Sequence, residues 1–179
     1  MIELEFQFRA LEAKDDRKNF CCGLIELDRF FQQYAGQNQF RHHIGITYVL
    51  VNKCTMAGFV TVSAGEITTE ELPAALRCRL PEYPLPIMRI ARLAIDKQFQ
   101  GLGLGKKLLR ASFQLALEMK SRYGCVGVVV DAKQESLAFY QKMSFVPLEA
   151  VTGELGDRPE PQPLFLAIKT IEQAIFKTR

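Results

Sequence analysis

The chain has 179 residues, 48% hydrophobic and 24% charged, with a net charge of +3, a balance that excludes a disordered or low-complexity protein. No apolar run approaches the ~20 residues a membrane-spanning helix needs, and no apolar leader follows Met1, so the expectation is a cytoplasmic protein with no membrane partner. Five cysteines at irregular spacing, none in C-x-x-C, and only two histidines, His42 and His43, argue against a disulfide framework and against a metal site.

The elements follow in chain order. Ile2, Leu4, Phe6 and Phe8 alternate with Glu3, Glu5, Gln7 and Arg9, which predicts a half-buried strand. In residues 20–43, Leu27, Phe30, Phe31, Tyr34 and Ala35 make one apolar helical face, with Asp28 in a first turn where a carboxylate suits the dipole. Thr47 to Val51 and Met56 to Ala64 read as an antiparallel hairpin closed around residues 52–55. A short helix fits residues 69–79, and the two prolines of residues 83–86 break it. Residues 133–143 form a second helix through Leu137, Phe139, Tyr140 and Met143, and Phe145-Val146 starts another strand. Residues 153–163, with three prolines and two glycines, read as a surface loop. Leu164 to Lys169 is expected to close the sheet, with Thr170-x-x-Gln173 as a capping box for a final helix. No repeat is present, so one mixed α/β domain over residues 1–179 accounts for the chain.

Everything is arranged around residues 86–123. Ile87 to Ile95 is an apolar run broken mainly by Arg89 and Arg92, long enough for a strand. Leu104, Leu108, Ala111, Leu115 and Met119 recur at helical spacing and leave Lys106, Lys107, Arg110, Gln114 and Lys120 to solvent. Between them lie Gly101, Gly103 and Gly105. Glycines at every second position let the backbone approach a ligand, and the helix N-terminus behind them favours an anion. After the helix, Gly124 reads as a C-cap, and Cys125 to Val130 is a buried strand, completing a βαβ unit.

Two phosphate motifs fail here. A P-loop needs Ser or Thr after Gly-Lys, and Gly105-Lys106 is followed by Lys107; a dinucleotide fingerprint needs G-x-G-x-x-G, and the third glycine falls one residue early. What fits is Gln98-x-x-Gly101-x-Gly103 after a strand and before a helix, which resembles the pyrophosphate loop of the GNAT N-acetyltransferases. The element order matches that family along nearly the whole chain, which implies a GNAT fold with a twisted mixed sheet of six to seven strands flanked by helices.

The resemblance implies acetyl-CoA as the cofactor, with Leu93, Ala94 and Ile95 along the pantetheine arm. It assigns the pyrophosphate to Gln98, Gln100, Gly101, Leu102, Gly103, Leu104, Gly105 and Lys106; Lys106 reads equally well as a solvated lysine. Phe139-Tyr140-x-x-x-x-Phe145 matches the place where GNAT enzymes set a tyrosine beside the thioester sulfur, which implies Tyr140 as general acid, although a lone aromatic there reads as core. Ser136, at i−4, shares that face and is either a cofactor ligand or solvent-exposed.

No carboxylate lies in Ile87 to Ile95, so no general base stands there, and Glu66 is the nearest alternative, read as a surface residue. A lysine ammonium near 10.4 needs such a base far more than an α-amine near 7.7 to 8.0, so the site suits an α-amine. More finely, residues 20–39, 92–96, 100–105, 131–132 and 164–171 resemble the GNAT toxins of bacterial toxin–antitoxin modules, although Ala91 stands where those toxins often have glycine. This implies aminoacyl-tRNA as substrate, a block of translation, and a ribbon-helix-helix antitoxin as partner, with a homodimer allowed. Arg89 and Arg92 are the candidate contacts to RNA phosphate, or else pair with carboxylates of the fold. The alternatives are a GNAT acting on a small amine or a protein N-terminus, and a non-catalytic acyl-CoA-binding fold.

Overall fold

The computed structural model describes residues 5–149 and 161–177. The first strand, β1, spans Gln7–Ala10, further along than the alternation predicts; the part of the expected strand before Glu5 lies outside the described residues. It pairs antiparallel with β2 (Ile46–Asn52), and Phe8 stacks on Tyr48 at 5.2 Å. β3 (Thr55–Ile67) returns antiparallel to β2, as the hairpin reading expects, with Lys53 at φ 54 in the connection and a register shift between Leu50 and Val51. β4 runs Leu85–Ile95, so Pro86 lies inside the strand rather than before it. β5 (Gly127–Ala132), β6 (Val146–Pro147) and β7 (Gln162–Ala167) complete a seven-stranded sheet of order β1-β2-β3-β4-β5-β7-β6.

The helices depart from the expected pattern in instructive ways. Ile25–Arg29 is α-helical (α1), Phe30–Tyr34 is a π turn, Ala35–Gln37 is α-helical again (α2), and Asn38–His42 is a second π turn. The wide turns rotate Tyr34 out of the apolar face where a regular helix would place it, leaving it 40% exposed, while Phe30, Phe31 and Ala35 are buried. The short helix expected over residues 69–79 is a 3-10 turn, Thr69–Glu71, capped reciprocally by Thr68 and Glu71, followed by α3 (Ala74–Arg77). α4 spans Leu104–Arg122, but its buried face is Leu104, Leu108, Leu109, Phe113 and Ala116, with Ala111 and Leu115 only half-buried. It ends as expected at Gly124, whose N–H reaches the Met119 carbonyl at φ 90.

A 3-10 turn, Gln134–Ser136, leads into α5 (Leu137–Lys142). The expected strand at Leu164 begins earlier, at Gln162, and already yields at Ile168 to α6 (Ile168–Phe176). The capping box at Thr170 is therefore not formed: Thr170 lies inside the helix, and Ala167 precedes it without a side-chain cap. Burying both Ile168 and Ile171, three residues apart, requires the helix to start where it does. Most of the surface loop expected at residues 153–163 lies outside the described residues.

The chain falls into two compact units, Met1–Ser63 with Ile90–Gln114, and Ala64–Arg89 with Leu115–Arg179. The first is packed around aromatic rings: Phe31 stacks on Phe59 at 4.4 Å with planes 2° apart, and Phe20 meets both edge-on, joined by Leu11, Val49, Met56 and Ala94. Each fully buried ring is worth about 2–3 kcal/mol, and each pair about 1 kcal/mol more. The second unit packs Ile67, Leu72, Leu85, Ile87, Val129, Leu148 and Phe165. Among the described residues no helix is long and apolar enough to cross a membrane, and no three His, Cys, Asp or Glu side chains cluster as metal ligands.

Candidate active site

β4 ends in a hinge of hydrogen bonds centred on Asp96. Its carboxylate is buried and accepts the Gln98 N–H at 2.9 Å and the Cys21 N–H at 2.8 Å, while its own N–H donates to the Ala57 carbonyl at 2.9 Å. An aspartate before a tight turn is an N-cap, here for the 3-10 turn Lys97–Phe99. Beyond that turn, the Gln100 side-chain amide donates to the carbonyls of Ile95 and Cys22, both at 2.9 Å. Gln98 thus commits its backbone N–H, and Gln100 its side chain, to holding the turn in place.

What the hinge presents is backbone. Gly101 (φ 81) and Gly103 (φ 75) occupy the left-handed region that costs other residues about 1–2 kcal/mol, and a Cβ built on either meets nothing within 4 Å. The space over the turn is open, and the first-turn N–H groups of α4 have no intrahelical acceptor. No acidic side chain stands in that turn; Lys106 is exposed, and Lys107 lies over the Phe6 ring at 5.5 Å. Leu102 is 55% exposed at the tip. Leu93, Ala94 and Ile95 line the end of β4, with Ala94 buried; a Cβ on Gly58 would meet Ile95 Cδ1 at 2.6 Å and the Ala94 carbonyl at 2.9 Å, so β3 approaches here because that residue is glycine.

The two arginines of β4 part company. Arg89 forms an ion pair with Asp131 at 2.8 Å. Arg92 lies over the Phe30 ring, its Cζ 3.8 Å from the centroid, has no ion-pair partner among the described residues, and is drawn below its ordinary pKa by burial while remaining a cation. It lines a cleft of about 420 Å³ together with Glu26, Arg29, Phe30, Tyr34 and Asn38. The five cleft residues before Arg92 were not legible as a site, because helical periodicity places Phe30 and Tyr34 in the apolar face and gives no reason to group the others.

In the second unit, Tyr140 is 6% exposed, edge-on to Phe139 at 5.0 Å and to Phe145 at 5.4 Å. Burial pushes its phenol up to about 12, so it stays protonated throughout the physiological range. Ser136 is half-buried at the start of α5, and its side chain caps nothing there. Glu66 is exposed near the end of β3. Burial pushes the Cys22 thiol up to about 11, which removes it as a thiolate nucleophile at neutral pH.

The chain belongs to the GNAT acetyltransferase family: the description "Acetyltransferase (GNAT) domain" matches residues 43–147. It is 28% identical over 138 residues to a "tRNA-acetylating toxin" of Mycobacterium tuberculosis (strain ATCC 25618 / H37Rv), covering 76% of this chain and 82% of that one. In fold it is similar to the toxin AtaT complexed with acetyl-methionyl-tRNAfMet, with a TM-score of 0.83, 24% identity, and 96% and 99% of the two chains covered. A mutant of AtaT bound to the C-terminus of the antitoxin AtaR and acetyl-CoA aligns with a TM-score of 0.75, 23% identity, and 95% and 98% covered.

Proposed function

We propose that the chain is one GNAT domain that moves the acetyl group of acetyl-CoA to the α-amino group of aminoacyl-tRNA, and so blocks translation in the cytoplasm. The observation that carries this reading is a carboxylate-free β4 that leads from Arg92, without an ion-pair partner among the described residues, into the braced glycine turn. The turn fits a pyrophosphate: its space is open, its N–H groups are exposed by glycine, and nothing acidic repels the anion. Likeness to the M. tuberculosis toxin supports the tRNA acceptor.

In this reading the N–H groups from Gly101 to Lys106 hold the pyrophosphate, with Leu102 and Leu104 as neighbours of the same backbone run. The backbone of Leu93, Ala94 and Ile95 follows the pantetheine, and Gln98 and Gln100 brace the turn from behind. When bound, acetyl-CoA supplies a thioester that the acceptor amine attacks. Positioning does most of the work, because an α-amine is already partly neutral at pH 7.

Tyr140 holds a proton at Oη for the leaving sulfur, and Ser136, in the turn that leads into the same helix, is a cofactor contact. A thiol near 8.5 is a stronger acid than a phenol raised to about 12, so Tyr140 would donate a hydrogen bond to the leaving sulfur, and the proton lost by the amine would end on that sulfur as the thiol. A ribbon-helix-helix antitoxin is the protein partner, and assembly as a homodimer is compatible with the reading.

The test incubates the protein with acetyl-CoA and charged tRNA. Acetylated aminoacyl-tRNA is expected from at least one isoacceptor; its absence across all of them ends the tRNA reading. Tyr140→Phe is expected to lower turnover on the order of 100-fold or more while acetyl-CoA affinity stays within about threefold. Unchanged turnover would remove Tyr140 from the mechanism.

A further inference from the structure

The glycine turn before α4 is held from outside its own segment, by a strap of backbone at residues 20–24 that is tied on one side to the turn and on the other to the first helical stretch. Toward the turn, the Cys21 N–H donates to the Asp96 carboxylate at 2.8 Å, and the Cys21 carbonyl accepts the Lys97 N–H at 2.8 Å. The Cys22 carbonyl accepts the Gln100 side-chain amide at 2.9 Å. Toward the helix, the Cys22 N–H donates to the Asp28 carboxylate at 2.6 Å, and the Phe20 carbonyl accepts the Gln32 side-chain amide at 2.8 Å. From the Phe20 carbonyl to the Cys22 carbonyl every backbone polar group of the strap is therefore committed, two to the helical stretch and three to the turn.

Asp28 stands in the first turn of α1, where the sequence alone gives it to the helix dipole, yet its carboxylate reaches back to the strap. Burial would raise its pKa, but the Cys22 N–H and thiol, the Gly23 N–H and the Cys21 thiol together hold it below the ordinary carboxylate value, so it is ionised at neutral pH. A hydrogen bond to an ionised acceptor is roughly twice as strong as a neutral one, which makes Asp28 the firmer of the two helix-side ties. The strap also packs closely on the turn: Gly23 has φ 98, and a Cβ there would meet the Lys97 Cε at 2.8 Å.

We propose that Asp28 is a positioning residue for acetyl-CoA: through the strap at residues 20–24 it holds the glycine turn in the geometry that receives the pyrophosphate. The proposal rests on the reading that places the pyrophosphate at this turn, and extends it to a side chain that acts on the turn only through the strap. Backbone N–H groups bind an anion well when they are aimed before it arrives, because a turn ordered by its ligand gives up affinity to the cost of that ordering. Glycine loses more conformational freedom on ordering than any other residue. The glycines that open this turn to a phosphate are thus what makes bracing from outside necessary, and the strap supplies it.

The experiment compares Asp28→Ala, Asp28→Asn, Gln32→Ala, Gln100→Ala and Gly103→Ala by calorimetry with acetyl-CoA and by backbone hydrogen exchange with and without it. Asp28→Ala is expected to weaken acetyl-CoA on the order of tenfold, since the Cys22 N–H loses a charged acceptor. Asp28→Asn keeps an oxygen for that N–H and should stay within about threefold of the wild type. Exchange in residues 97–103 should quicken in Asp28→Ala, although the substitution lies on α1, and saturating acetyl-CoA should slow it again. A lesion local to the helix would quicken exchange in residues 20–29 alone. Asp28→Ala combined with Gln100→Ala should lose clearly less than the product of the two single losses, because either cut frees the same strap.

Wild-type acetyl-CoA affinity in Asp28→Ala overturns the proposal, as do exchange changes confined to residues 20–29, losses that multiply in full, or an Asp28→Asn as impaired as Asp28→Ala. Should Asp28→Ala fail to fold, Gln32→Ala cuts the other helix-side tie; it should weaken acetyl-CoA about threefold and quicken the same turn amides, and no change in either sinks the proposal. Gly103→Ala separates the strap from the reading beneath it. If that variant binds acetyl-CoA as the wild type does, the turn does not hold the pyrophosphate and both fall together. If it is weakened while Asp28→Ala is not, the positioning role of Asp28 alone is wrong.

Discussion

The glycine turn before α4 presents backbone, and the cleft beside Arg92 presents side chains. In the turn, the Asp96 carboxylate holds the Gln98 and Cys21 N–H groups and the Gln100 side chain holds the Ile95 and Cys22 carbonyls, which leaves the glycine backbone beyond them to face a ligand. In the cleft, arginine, tyrosine and asparagine side chains line a helical stretch that carries two π turns. A backbone site suits a cosubstrate whose pyrophosphate never varies. A side-chain site can be retuned residue by residue.

The largest expected effect lies outside both regions. Tyr140 is raised to about 12, so the unfolded chain releases this proton from about pH 10 upward while the folded protein holds it. Its contribution is complete below pH 10 and is lost as pH climbs through 12, about 2–3 kcal/mol in all. Urea unfolding at pH 9 to 12 should show this loss in the wild type and not in Tyr140→Phe; equal slopes would mean that the phenol is not desolvated.

Asp96→Ala attacks the brace of the turn. Two backbone N–H groups lose their acceptor, which should cost about 1–3 kcal/mol and lower Tm by about 3–8 °C. Acetyl-CoA affinity should fall too, and calorimetry finding it intact would detach the brace from the binding face. Gly103→Ala leaves the brace alone but forces a Cβ into the left-handed region, at about 1–2 kcal/mol. Titration should show acetyl-CoA bound about 5- to 30-fold more weakly.

The smallest effect belongs to Arg89→Ala. This ion pair with Asp131 is partly solvent-exposed and should contribute about 0.2–1 kcal/mol, declining as salt rises. A loss of several kcal/mol, or one indifferent to salt, would show that Arg89 does more than pair with Asp131.

The glycine turn was legible from the amino acids because its causes are local: an apolar run, an aspartate, glycines at alternate positions and a helical period all lie within residues 87–119. The seven strands were visible to within a few residues for the same reason, apart from the start of β1 and the join between β7 and α6. There the burial of Ile168 and Ile171 outweighed a plausible capping pair. Cys21 and Cys22 could not be connected with the turn in advance, since the bonds from Asp96 and Gln100 cross 75 and 78 positions of the chain.

The amino-acid order by itself determined the family, the place of the glycine turn and the absence of a carboxylate on β4, because each depends on residue identity at short spacing. The tertiary structure decided which arginine is spent on Asp131 and which is left on Phe30, where the helix widens, and how deeply Tyr140 is buried. Those outcomes depend on which distant side chain arrives within about 4 Å, the range over which rings and charges make contact.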